Sequence, residues 1–223
     1  IQDGKIVLDE LGMDEETIRG FSRIQMVACG SAYHVCVSAK YVMEQTAGIA
    51  VDVDLASEFR YRNPVLDPHT LAIVVSQSGE TADSLAALRE AKKRGFPVLA
   101  IVNVVGSSIA READSVFYTW AGPEISVATT KAYSTQLVAV YLLAMHFGRI
   151  RGVLDEGACG QMVEELQQLP QKIERILEEK ERIQWFANKF SHSRDIFFIG
   201  RGREYAASLE GSLKVKEISC IHS

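Results

Sequence analysis

The sequence predicts the α/β class with a parallel sheet. Three observations carry this expectation. Short β-favouring runs alternate with helix-periodic stretches, Gly or Pro punctuates the joins, and the central run at 70–75 is nearly all aliphatic, as in a strand covered on both faces. At 223 residues the chain is longer than one average domain and shorter than two, taking about 100 to 200 residues per domain. With 47% hydrophobic and 24% charged residues, it has the apolar content for a core and lies outside the disordered and fibrous classes.

The elements follow in order. Residues 24–29 form a β-favouring run closed by Gly30, and Val35, Ala39, Val42 and Met43 then sit at helical spacing until Gly48. A second strand is predicted at 50–54, followed by a short helix over 56–62 that Pro64 terminates. The run at 70–75 is the third strand, and Leu85, Leu88 and Ala91 carry a helix that stops at Gly95. Strands four and five are predicted at 97–102 and 115–119, and a long helix at about 130–146. Residues 1–150 make the first domain.

Beyond Val153 strand signal fades, while Ile173, Ile176, Leu177 and Ile183 keep helical spacing among charged residues, so 151–192 reads as a helical connector. Residues 196–202 then echo 24–30, with Gly30 and Tyr33 matched by Gly202 and Tyr205. The expectation is that 193–223 is the first strand and helix of a second, truncated copy. Because residue 1 is Ile and the second copy breaks off, both ends read as cuts in a longer chain.

Composition and motifs exclude several function classes. The net charge of -5 argues against a nucleic-acid surface. Cys29, Cys36, Cys159 and Cys220 contain no C-x-x-C pair, so neither a disulfide framework nor a zinc knuckle is indicated, and a reducing cytoplasm fits best. The longest apolar run, 136–147, is about a dozen residues against roughly 20 needed to span a bilayer, which argues against a membrane protein. No P-loop, G-x-S-x-G elbow or H-E-x-x-H pattern occurs, and Gly200-Arg-Gly202 lacks the third glycine of a dinucleotide fingerprint. No metal ligand set is predicted.

In an open parallel sheet, ligands bind beyond the carboxyl ends of the strands. Three such ends stand out. At the first, Gly30 permits close backbone approach, and Ser31 serves equally well as a helix cap or as a donor to a ligand. The second, 76–81, packs Ser76, Gln77, Ser78, Gly79 and Thr81 between a buried strand and a helix start. One hydroxyl suffices to cap a helix; several, with free N–H groups at the positive end of a helix dipole, make a neutral cradle for a phosphate ester. The third, 124–131, holds Val127 and Thr129 and alone reads as an N-cap. On the final helix, 100° spacing puts Glu217 among Ala206, Leu209, Leu213 and Ile221. With Glu210 and Lys214 it forms a solvated ladder, or else a carboxylate held partly dry beside a lysine that can serve as a general base.

Taken in order, Cys29-Gly-Ser31, the 76–81 turn, the 124–131 turn and the 209–219 helix resemble the sugar-isomerase (SIS) domains of the glutamine:fructose-6-phosphate amidotransferases, over nearly the whole chain. The resemblance implies a flavodoxin-like, doubly wound parallel sheet of five strands, followed by a second copy. It implies that Ser76, Gln77, Ser78 and Thr81 hold a hexose 6-phosphate, with Gly30, Ser31, Val127 and Thr129 lining the sugar. Glu217 then transfers the proton, with Lys214 beside it. Thr129 replaces a serine common in the family, and Ala32 stands where a sugar-contacting serine is often found. No cofactor is implied; the implied partners are a glutaminase domain of the same parent chain and a second copy in a homo-oligomer. The family's ring-opening histidine, its Schiff-base lysine and the glutaminase cysteine have no counterpart here, so the fragment is expected to be inactive alone. Two alternatives share the phosphate cradle: another phosphosugar isomerase or deglycase, and a non-catalytic sugar-phosphate-binding module.

Overall fold

The computed structural model describes residues 1, 4–65 and 67–223. A 3-10 turn (Asp9–Leu11) and α1 (Glu15–Gly20) lead into β1 (Arg23–Ala28), α2 (Ser31–Ala47), β2 (Ala50–Leu55), α3 (Ala56–Phe59) and β3 (Thr70–Ser76). There follow α4 (Ala82–Lys93), β4 (Val98–Val102), α5 (Ser108–Glu112), β5 (Ser115–Tyr118) and α6 (Lys131–Ile150). The five strands pair in the order β2-β1-β3-β4-β5, and every pairing is parallel. All five predicted strands are present within a residue or two at each end. The short helix α3 ends at Phe59 rather than at 62, and α6 runs on to Ile150.

Alternation along the strands explains the two layers. Met26, Ala28, Ile73, Val75, Leu99 and Ile101 face α2 and α6, whereas Val27, Ala72, Val74, Ala100 and Val102 face α3, α4 and α5. Every residue of β3 and β4 is buried, which accounts for their unbroken aliphatic character. Phe147 and Phe59 anchor the opposite layers with no exposed surface; each contributes about 1.5 to 3 kcal/mol by burial. The helices α2 and α6 cross closely at Gly148, where a β-carbon would lie 2.4 Å from the Thr46 carbonyl oxygen. Only glycine allows that approach.

After β1 the chain moves outward to β2 and then returns to place β3 on the other side of β1. This reversal opens a crevice between the carboxyl ends of β1 and β3. Register pairs Val27 with Val74, so the turns that follow, at Gly30 and at Ser76, rise side by side.

Helices α7 (Glu156–Gln167), α8 (Leu169–Glu178) and α9 (Lys180–Phe190) follow α6. Neither α8 nor α9 buries a residue, and Ile176, Leu177, Ile183 and Trp185 are exposed. The strand expected at 196–200 is not formed. Among the described residues the segment is paired only at its edge, by an isolated parallel bridge between Asp195 and His222, with Ile196 N–H donating to the His222 carbonyl at 3.0 Å. A strand is held by a neighbour along its length; Phe197 and Ile199 have none and stand exposed. The helix expected after it does form, as α10 (Arg203–Ser219), and packs along α2. Among the described residues no helix is long and apolar enough to cross a membrane.

Candidate functional site

The crevice widens into a cleft of about 300 Å³. Ser31 from the β1 turn, Ser76, Gln77, Ser78 and Thr81 from the β3 turn, and Val127 and Thr129 from the loop before α6 line it. So do Lys214 and Glu217 from α10, which brings the candidate proton-transfer pair opposite the hydroxyl-rich turn. Of the residues singled out in the sequence, Gly30, Gly79 and Glu210 are not on the lining. Gly30 sits between Cys29 and Ser31, which are, and heads α2 with a positive φ of 56°.

The β3 turn bonds within itself and leaves the start of α4 without a side-chain cap. No side chain caps α4: the Thr81 hydroxyl instead lies 3.3 Å from Ser76 Oγ, which accepts from Gly79 N–H at 3.0 Å. Ser78 Oγ accepts from Glu80 N–H at 3.2 Å. The first turn of α4, whose N–H groups no side chain caps, lies at the positive end of the helix dipole next to the Ser78 and Thr81 hydroxyls on the lining. That arrangement suits an anion.

The loop before α6 is organised differently. Glu124 Oε2 accepts from Ala132 N–H at 3.0 Å and from the Thr129 hydroxyl at 3.2 Å. The backbone bond from Ala132, before all other influences, holds this carboxyl below its ordinary value. The start of α6 is thus already covered by a negative charge, and Thr129 is committed to it. Val127 is almost fully exposed. Of the two helix starts beside the cleft, that of α4 has no side-chain cap and that of α6 already carries a carboxylate.

Two expectations about the turn after β1 and about α10 are corrected. Ser31 neither caps α2 nor faces the cleft freely; its hydroxyl donates to Glu210 Oε1 at 2.8 Å. Glu217 is not packed among apolar residues. It lies on the exposed part of α10 and pairs with Lys214, whereas the buried residues of the helix are Ala206 and Glu210. The buried face is chosen by what α10 lands on. It meets the head of α2, where Ser31 and His34 make a carboxylate acceptable, and Ile221 lies beyond the helix. Lys214 stands between Glu217 and Glu210, 3.5 Å from the latter. Burial raises the Glu210 carboxyl, but the hydrogen bonds from His34 and Ser31 and the charge of Lys214 outweigh it, leaving it below its ordinary value. Burial, with negative Glu210 beside it, pushes the Tyr133 phenol up to about 12.

Sequence reasoning missed Glu124, Gln136 and Ser84, all on the lining. Gln136 carried a readable signal: it is an amide opening the most apolar run of the chain, and it is 2% exposed. Nothing in the local sequence distinguishes Ser84, which bonds weakly to Cys29 Sγ across the crevice.

The SIS domain family matches residues 17–146. A glutamine–fructose-6-phosphate aminotransferase (isomerizing) of Caldanaerobacter subterraneus is 54% identical over 223 residues, all of this chain and 37% of that protein. One from Clostridium tetani is 55% identical over 218 residues, 98% of this chain and 36% of that protein. The chain thus spans a little over a third of the length of these relatives. The solved C-terminal domain of glucosamine-fructose-6-phosphate aminotransferase from Francisella tularensis superposes with a TM-score of 0.95 at 38% identity, covering 100% of this chain and 62% of that one. With the family match extending over more than half of the residues, from α1 through most of α6, this chain belongs to the SIS domain family.

Proposed function

We propose that this chain is the sugar-phosphate-binding and isomerase part of a glutamine–fructose-6-phosphate aminotransferase, working in the cytoplasm on fructose 6-phosphate to give glucosamine 6-phosphate. The observation that carries the reading is the uncapped α4 turn, with its Ser78 and Thr81 hydroxyls, facing Lys214 and Glu217 across one cleft. The names of the relatives support the same chemistry.

In this reading Ser76, Gln77, Ser78, Thr81 and the α4 N–H groups hold the 6-phosphate. Anchored there, the sugar extends past Ser31 and Thr129 and presents C1 and C2 to Glu217. Ammonia, released from glutamine by a separate domain of the same chain, adds to the open-chain ketone at C2, and water leaves as the imine forms. Glu217 then removes a proton from C1 while the imine nitrogen takes one up, giving the enolamine, and returns a proton to C2 as the C1 hydroxyl gives one up to solvent. The product is the 2-amino aldose. Lys214 supplies positive charge next to the developing anion and next to Glu217. Binding energy at the phosphate, remote from the reacting carbons, orients them. Residues 151–192 are the connector to a second SIS unit that begins at 193, and a second copy of the chain completes a homo-oligomer.

Titration calorimetry with glucosamine 6-phosphate tests the cradle. A Ser78→Ala, Thr81→Ala double variant loses two charge-assisted hydrogen bonds, partly replaced by water, and should bind about 1 to 3 kcal/mol more weakly. Equal affinity for both proteins would reduce the turn to a helix start and overturn the reading.

A further inference from the structure

Glu210 is the one charged residue buried among the described residues, at 7% exposure. A carboxylate taken out of water is costly unless every oxygen is partnered. Here Oε1 accepts from Ser31 Oγ at 2.8 Å and Oε2 meets His34 Nδ1 at 2.8 Å. The Lys214 ammonium lies 3.5 Å from Oε1 and is itself paired with Glu217. These contacts form one unbroken line from the turn after β1, through α10, to the candidate base. Docking alone does not require it, since an apolar side chain packs a helix onto its neighbour at less cost than a buried charge. Ala206, one turn earlier, already does so. On its other side α10 meets only the short 196–200 segment and the chain end, where Phe198 packs against Gly211 and Ser223 bonds to Ser212, and no charged contact among the described residues is made there.

We propose that Glu210 is a positioning residue for the reaction: its carboxylate fixes α10 on the head of α2 and holds Lys214, so that Lys214 and Glu217 stand at a set distance from the phosphate cradle. The inference rests on the cleft being a hexose 6-phosphate site. His34 and Ser31 are the donors on the α2 side, and Lys214 is the group through which Glu210 acts. Glu210 itself is absent from the cleft lining, so its effect falls on the reacting carbons and not on sugar-phosphate affinity.

The test uses the full-length protein, with fructose 6-phosphate and ammonia for turnover and glucosamine 6-phosphate for binding. Glu210→Gln keeps the shape and one acceptor but not the charge. It should lower kcat by about 10- to 100-fold, the scale of a misplacement near 1 Å, while KM for fructose 6-phosphate and Kd for glucosamine 6-phosphate stay within about threefold. His34→Phe keeps the ring volume and removes the Nδ1 partner, and His34 too is off the lining. It should lower kcat about three- to tenfold, the weight of one such bond, again at constant KM. The double variant should be no slower than Glu210→Gln alone, because both break the same line. If Glu210→Gln proves too unstable to assay, His34→Phe decides by the same split of kcat from KM. Wild-type kcat in the variants, or losses that appear in KM instead, would overturn the positioning role while leaving the cradle intact. Failure of the wild-type protein to bind glucosamine 6-phosphate would overturn both.

Discussion

A β-carbon placed on Gly79 would lie 2.1 Å from Ser107 Oγ, so the turn after β3 is seated directly on the turn after β4. Gly79 also has a φ of +66°, a conformation that side-chain-bearing residues adopt at a cost of about 1 to 2 kcal/mol. Its carbonyl accepts from Ile109 N–H at 3.0 Å, and Ser108 N–H donates to Glu80 at 2.7 Å, tying the two turns together. Gly79→Ala therefore adds overpacking to strain and should destabilise the protein by about 2 to 4 kcal/mol. A thermal melt reads the loss, and calorimetry with glucosamine 6-phosphate should show weakened binding, because the displaced segment is the cradle. A variant with wild-type melting and affinity would mean that the turn shifts freely.

Arg151 acts at the far end of α2. Its guanidinium donates to the carbonyls of Ala47 at 3.0 Å and Phe21 at 2.9 Å, with longer contacts to Ile18, Arg19 and Gly48. It thereby closes the carboxyl ends of α1 and α2 and binds them to the end of α6. Arg151→Met keeps the stem and removes the donors, and should cost about 2 to 3 kcal/mol. The melting point should fall by roughly 4 to 12 °C. Sugar-phosphate affinity should not change, since α2 separates Arg151 from Ser31 by about 25 Å at 1.5 Å per residue. A change in affinity without a change in stability would contradict this assignment.

The particular residues show what a sequence can disclose. The strands at 70–75 and 97–102 were legible because burial on both faces leaves an aliphatic run with no alternation. The 76–81 turn stands out in the sequence because it holds more hydroxyls than a cap can use, and in the structure no side chain caps α4. Spacing put Glu217 on the apolar face, whereas Glu210 is the buried one, since spacing ranks the faces of a helix but the buried face is set by the partner. Here the partner is the head of α2, 180 residues away in the sequence on the scale of the Ser31–Glu210 bond, whose separation is 179. The run at 196–200 has β-favouring composition, but composition supplies no neighbour to pair with. Gln136 could have been read, as a lone amide at the head of the most apolar run, but the periodicity of α6 is satisfied with or without it, so the pattern alone gives it no role.

Acid should weaken the α2–α10 contact. Because the folded-state carboxyl of Glu210 is held below its ordinary value of 4.5, its contribution is fully present above that value and is lost as pH falls through the lower folded value. The groups facing it are Ser31 and His34 from α2, Lys214 from α10 and Tyr133 from α6. Denaturant unfolding at several pH values between about 6 and 3 should show the wild-type protein losing more stability on acidification than Glu210→Gln, which has no carboxyl to protonate. Parallel curves would show that Glu210 titrates as it does in the unfolded chain.

The last expectation concerns Glu217, whose side chain is 35% exposed and paired with Lys214 at the mouth of the cleft. An exposed carboxylate is not held by packing, so its only fixed reference is the lysine. Access to water does not count against a base that must exchange its proton with solvent between turnovers. Glu217→Gln preserves the shape and the contact with Lys214 but cannot accept a proton. In the full-length protein, glutamine hydrolysis and binding of glucosamine 6-phosphate should survive, because neither uses this oxygen. Isomerisation should fall by about 10² to 10⁴, the usual cost of deleting a general base. Transfer of isotope from C1 of fructose 6-phosphate to solvent should fall by the same factor, which separates loss of proton abstraction from a slow release of product. Retention of more than about a tenth of the wild-type rate, far above that range, would leave Glu217 as one rung of a Lys–Glu pair and assign the proton to another group in the cleft.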